Sequence, residues 1–143
     1  MTIAKIVSDR DPTDIISCDV TTSVADAVTM LAGKRIGALP VMSEGKVAGI
    51  VSERDVIYCL AEKGGGALDL QVGDIMTSPA ITVEPSTPID GALALMTRRR
   101  FRHFPVVDDG KLIAFISIGD LVKNKIDQVE HEAQALRDYI QTV

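Results

Sequence analysis

Leu39–Asp55, LPVMSEGKVAGIVSERD, returns 65 residues later as Phe104–Asp120, FPVVDDGKLIAFISIGD. Each copy wraps two short apolar runs around a Glu-Gly-Lys or Asp-Gly-Lys turn and closes on Ser-x-x-Asp. Gly45 and Gly110 supply the permissive backbone that a tight turn between antiparallel strands requires. The stretch therefore predicts a β-hairpin running into a helix, written twice.

The register holds outward from this core. Shifted by 65, Ser17–Cys59 lies on Thr82–Asn124 without a gap, and nine of the 43 pairs are identical, Arg35/Arg100, Pro40/Pro105, Ser52/Ser117 and Asp55/Asp120 among them. Ordinary residue usage would give roughly two or three. Upstream, a short strand (Ile15–Cys18; Ala80–Val83) leads to a helix with apolar residues at Val24, Ala27, Val28, Leu31 and at Ile89, Ala92, Leu93, Met96, the spacing of one helical face. Ser23 is the candidate N-cap of the first helix; Thr87, followed by Pro88 at the first helical position, is that of the second.

The fold class is thus α/β (α+β): two tandem β-α-β-β-α units with pseudo-two-fold symmetry, plus a long C-terminal helix. Residues 1–13 form an N-terminal segment, 14–62 the first unit, 63–75 a linker made flexible by Gly64–Gly66, 76–125 the second unit, and 126–143 a helical extension. Along that extension Val122, Ile126, Val129, Ala133, Leu136 and Ile140 are spaced 4, 3, 4, 3, 4, a heptad-like seam expected to pack on the body or on a second subunit.

Ser-x-x-Asp before an apolar helix has two readings. It is a capping box, with Ser52 and Ser117 as N-caps and the acids three residues on. It also offers a helix N-terminus for a phosphate or polar ligand and a carboxylate for a sugar diol. The residues alone leave both open.

The ordered set IGALPV…EGKVAGIVSERD and FRHFPVV…DGKLIAFISIGD, appearing twice from about Asp14 to Lys125, resembles paired CBS domains, the Bateman module, in its small stand-alone bacterial form. The resemblance implies two pseudo-symmetric clefts between the domains, commonly within a homodimer. It implies adenosine-containing ligands: AMP, ADP, ATP, NAD(H) or S-adenosylmethionine. Asp55 and Asp120 would take the ribose hydroxyls, with Asp120 the firmer of the two, and Ser52 and Ser117 would lie near ribose or phosphate. Ile16 and Ile81 would line the adenine slots, and Ile36, Gly37 and Ala38 a further wall. Arg102 and His103 would reach phosphates. Within the motifs, Arg54 adds charge beside the first site, while Ile118-Gly119 in the second lets a ligand approach the backbone. A nicotinamide cofactor would bind as a regulatory ligand, not as a redox partner.

Other functions fit poorly. The net charge of −5 argues against nucleic acid, despite Arg98–Arg100, which read as a solvated helix end. No nucleophile–base–orienter trio is legible and no metal spacing is present, so the chain is not expected to be an enzyme. Cys18 and Cys59 read as buried thiols. No apolar run reaches membrane-spanning length, and a cytoplasmic protein is expected. The output would be a separate regulated protein or a change of assembly; the alternative is an interaction module whose clefts are vestigial.

Overall fold

The computed structural model describes residues 1–142. Helix α1 (Ile3–Val7) and a 3-10 turn (Pro12–Asp14) precede the first unit, which comprises β1 (Cys18–Asp19), α2 (Val24–Lys34), β2 (Ala38–Ser43), β3 (Lys46–Ser52) and α3 (Glu53–Lys63). After a 3-10 stretch (Gly64–Asp69) and the short α4 (Val72–Ile75), the second unit repeats as α5 (Ile89–Arg99), β4 (His103–Asp108), β5 (Lys111–Ser117) and α6 (Ile118–Thr142).

Both hairpins form as the turn chemistry requires. Glu44-Gly45 and Asp109-Gly110 have φ of 52° and 78°, and 51° and 76°. These are the paired positive values of the tight turn that matches strand twist. β2 pairs antiparallel with β3 and β4 with β5, each with one register shift at equivalent places, Val41/Met42 and Val106/Val107. The leading strands are shorter than expected. β1 runs parallel to β2 over two residues, and its counterpart shrinks to one parallel bridge, Val83 to Val106. Pro79 and Pro85 bracket that second segment and have no N–H to extend a ladder.

Each unit has its own apolar core. Val24, Ala27, Leu39, Val41, Val51 and Val72 are sealed in the first; Ile89, Ala92, Phe104, Val106, Ile116 and Leu121 in the second. The cores are completed by exchange. Ile3, fully buried, belongs to the second core, and Val72 to the first. The same hydrogen bonds recur on both sides. Ile3 N–H donates to Thr87 O and Ala4 N–H to Pro85 O; Val72 N–H donates to Thr22 O and Gly73 N–H to Val20 O. Thr87 and Pro85 lie 65 residues beyond Thr22 and Val20, but Val72 lies 69 beyond Ile3. The first copy therefore carries four extra residues between its short helix and its first strand.

This exchange corrects two expectations. Gly64–Asp69 is wound into 3-10 turns with Ala67 buried, so the glycine stretch is not an open tether. Thr87 does not cap α5, because its hydroxyl accepts from Glu84 N–H (3.1 Å) and closes the preceding turn. Pro88 takes the cap position, and the Ile89 N–H donates instead to Met1 O. Val24 N–H finds Leu70 O in the same way, while Ser23 caps α2 by accepting from Asp26 N–H. Cys18 and Cys59 are buried and unpaired, and burial, helped by Asp19, pushes the Cys18 thiol up to about 11.

Candidate functional site

Both Ser-x-x-Asp motifs form the capping geometry. Ser52 Oγ accepts from Asp55 N–H (3.3 Å), while Asp55 Oδ2 accepts from Ser52 N–H (2.8 Å) and from its hydroxyl (3.0 Å). Ser117 and Asp120 repeat this at 3.2, 2.9 and 3.2 Å. The first free N–H of each helix is also engaged. Glu53 N–H donates to Gly37 O and Ile118 N–H to Arg102 O, so these two donors are not free for a phosphate. That leaves one carboxylate oxygen per motif, Oδ1, outside the capping box, and each aspartate lines a cavity.

The two cavities, of about 480 and 730 Å³, lie within the roughly 300–1,000 Å³ range of small-molecule sites. Each joins the aspartate of one unit to walls of the other. Asp120 and Ser117 share the smaller cavity with Ile16, Ile36 and Ala38. Asp55, Ser52 and Arg54 share the larger one with Ile81, Gly37, Arg102 and Ala38. His103 borders both. Arg102 and Asp120, which belong to one copy in sequence, are thus parted between different cavities. Gly119 and Ile118 line neither.

Oδ1 meets different partners in the two sites. At Asp55 it accepts from the Thr77 hydroxyl at 3.2 Å. The Thr77 backbone meanwhile pairs with Ile50 in both directions, passing so close to Gly49 that a Cβ there would sit 2.6 Å from Thr77 O. At Asp120 it is held by the Arg10 guanidinium at 3.0 Å, and the same side chain donates to Phe115 O at 3.4 Å. The four extra residues lie in the stretch that carries Arg10. In the first copy the chain after α1 detours through Pro12–Asp14, and a long cation replaces the backbone approach; the counterpart of Gly49 is Ala114.

The electrostatics diverge accordingly. Arg54, Arg99, Arg100 and Arg102 face two carboxylates, Glu53 and Asp55, in the larger cavity. In the smaller, Arg10 alone faces Asp9, Asp11, Asp14 and Asp120. Burial by itself pushes Asp120 up, but the Ser117 N–H and the Arg10 guanidinium outweigh it and hold the carboxyl below its usual range.

His103 stacks on Phe115 with centroids 5.3 Å apart and planes within 10°. Burial lowers its pKa; Arg102 adds to this, and Asp120 and Glu53 oppose it. A lowered value means that the unfolded chain takes the proton first as pH falls. Stability is thus expected to decline as pH drops through about 6.5 toward the folded value, then to level off. Urea titrations followed by circular dichroism between pH 7.5 and 5.5 check this, and His103→Gln should flatten the slope; an unchanged slope would assign it elsewhere.

Several lining residues escaped the sequence. Arg99 and Arg100, read as a solvated helix end, stand on the wall of the larger cavity. Arg10 and Thr77 lay outside the ungapped repeat. The second alignment at 69, which sets Thr2–Ser8 on Gln71–Thr77, brings in Thr77 opposite Ser8; Arg10 lies just beyond it, in the stretch that holds the four extra residues, where the repeat carries no signal. Among the described residues no cluster of metal-ligating side chains forms.

The family model for the CBS domain matches residues 6–62 and again 72–127, and the chain belongs to that family. The mitochondrial CBS domain-containing protein CBSX3 of Arabidopsis thaliana is 39% identical over 129 residues. That match covers 87% of this chain and 63% of the relative, so the chain spans a little under two thirds of its length. A solved CBS-domain protein from Burkholderia ambifaria is 41% identical, with a TM-score of 0.81 over 89% of this chain and 95% of that one. CBSX2 of Arabidopsis thaliana, solved in complex with AMP, is 30% identical, with a TM-score of 0.76 over 90% and 98%. The protein is a tandem CBS pair.

Proposed function

We propose that the chain is a regulatory module that binds adenosine-containing ligands in its two cavities, and that the cavities differ in the charge they accept. The observation that carries this is the arginine wall around Asp55 set against the carboxylate wall around Asp120. A phosphate is stabilised by guanidinium forks and disfavoured among carboxylates. The Asp55 cavity accordingly takes a phosphorylated adenine nucleotide: AMP, or ADP, ATP or NAD(H) where length allows. The Asp120 cavity takes adenosine or a cationic relative such as S-adenosylmethionine. The AMP complex of CBSX2 supports the ligand class.

In both cavities the ribose would take Oδ1 of the aspartate, which Thr77 or Arg10 now occupies. Ile81 and Phe101 on one side, and Ile16 and Ile36 on the other, offer apolar walls for the base. No covalent chemistry is assigned. The response passes to a separate protein or to the homodimer's geometry, and it requires the ligand to bind one arrangement of the two units better than the other.

One observation favours a second reading. The capping boxes and their Oδ1 partners satisfy both aspartates without any ligand, as an interaction module with vestigial clefts would have it. A thermal-shift panel of AMP, ADP, ATP, NAD⁺, NADH, adenosine and S-adenosylmethionine separates the two. A ligand at 100 times its dissociation constant adds about 2.7 kcal/mol, a shift of several degrees. A flat panel would leave the capping role alone standing.

A further inference from the structure

Helix α6 leaves the body after its first two to three turns. Leu121 is fully buried and Lys125 pairs with Asp90 at 2.9 Å, but Ile126, Val129, Leu136 and Ile140 are 51, 52, 60 and 63% exposed. The seam was expected to cover the body or a second subunit, and the body does not use it. Its row lies about 120° around the helix from the row of Leu121, Asn124, Lys125 and Gln128, at 100° per residue. A coil this short would be marginal on its own, but here the first turn is already anchored by tertiary packing, which removes the nucleation barrier.

The charges that flank the seam select its partner. With Ile126, Ala133 and Ile140 at a and Val122, Val129 and Leu136 at d, the e positions are Lys123, Glu130 and Arg137, and the g positions begin Lys125 and Glu132. In a parallel, in-register pair each g residue faces the e residue five positions on in the other helix. Those pairs are Lys125 with Glu130 and Glu132 with Arg137, opposite in sign at both places. Lys125 is shared with Asp90, whereas Glu132 and Arg137 are engaged only by exposed intrahelical hydrogen bonds, from Gln128 and to Gln134, both at 3.1 Å. An antiparallel pair centred on the seam would set Lys123 against Arg137 and Glu130 against its own copy, all like charges. Tyr139, 67% exposed at the last g position, widens the apolar strip at the far end.

We propose that the exposed α6 seam, flanked by these complementary charges, pairs in parallel and in register with α6 of a second copy of this chain. The two bodies then sit side by side at one end of a short two-stranded coil, so any ligand-driven change in the second unit reaches the coil through Leu121. The pairing is independent of whether the cavities bind nucleotide.

Sedimentation velocity on the full chain from 1 to 100 µM tests it. The chain should dimerise, and Arg137→Glu should weaken the dimer about ten-fold by turning an attraction into a repulsion twice. The double variant Glu132→Arg/Arg137→Glu should restore it. Arg137 and Glu132 are solvent-exposed, so the fold is not at risk, and circular dichroism verifies this. Ile140→Cys should oxidise to a linked dimer, the native thiols being buried. A chain monomeric at 100 µM would overturn the proposal. So would a dimer indifferent to Arg137→Glu, or one tightened by it, which is the antiparallel signature. Cross-linking of Ile140→Cys only to a Val122→Cys copy would also overturn it.

Discussion

In Asp55→Ala the stabilisation that AMP gives the chain is expected to disappear, while Asp120→Ala keeps it. A ribose diol donates two hydrogen bonds to a carboxylate, each worth about 1.5–3 kcal/mol when charge-assisted. Losing both weakens binding by roughly a hundred-fold or more. Arg102→Met should weaken AMP by about ten- to a hundred-fold and leave adenosine unaffected, because the guanidinium acts on the phosphate. Arg10→Met should act in the opposite sense on adenosine in the other cavity. It frees Asp120 Oδ1 from the 3.0 Å ion pair that a ribose must displace. Isothermal titration of AMP and adenosine against the four variants reads all of this. Asp55→Ala also removes half of a capping box, about 1 kcal/mol, so its melting temperature without ligand is the necessary baseline. If Asp120→Ala abolished the AMP response and Asp55→Ala did not, the charge assignment of the cavities would be reversed.

Ile3→Ala is expected to destabilise the chain by about 2–5 kcal/mol, as large-to-small changes at sealed core positions do. Ile3 has no exposed surface and packs among residues of the second unit, although nearly 80 residues separate it from the nearest of them in sequence. For a chain of this size that is a fall in melting temperature of roughly 4–20 °C. Hydrogen exchange should show the opening concentrated in α5, β4 and β5. Val72→Ala, its counterpart in the first core, should instead loosen α2, β2 and β3. A loss below about 1 kcal/mol for Ile3→Ala would mean that α1 only lies against the second unit and does not complete it.

The hairpins, the amphipathic α2 and α5, and the capping boxes were legible because their determinants are local. A turn glycine flanked by apolar runs, an apolar residue every third or fourth position, and Ser three residues before Asp act within one or two turns of chain. Duplication reinforced them, since two copies repeat a pattern that chance would not. The second leading strand was overread because its prolines matter only when a ladder is attempted. Thr87 was misassigned because its hydroxyl had a closer backbone donor, Glu84 N–H, on the other side.

The composition of each cavity was not legible. Ile16, Ile36 and Ala38 meet Asp120, and Ile81 and Arg102 meet Asp55, only because the two units face each other and exchange walls. Arg99 and Arg100 changed meaning for the same reason, from a helix end to a cavity wall.

Chain-local chemistry is enough to specify a doubled β-α-β-β-α unit with a Ser-x-x-Asp helix start in each half and an apolar seam on its last helix. Those features follow from periodicity and turn chemistry along the chain. Which aspartate looks at arginines and which at carboxylates, the completion of opposite cores by α1 and α4, and the outward-facing seam emerge only when the chain is folded. Each of these depends on contacts between residues tens of positions apart. A guanidinium holds Asp120 where a threonine hydroxyl serves Asp55, and each comes from a segment outside the hairpin that carries the aspartate.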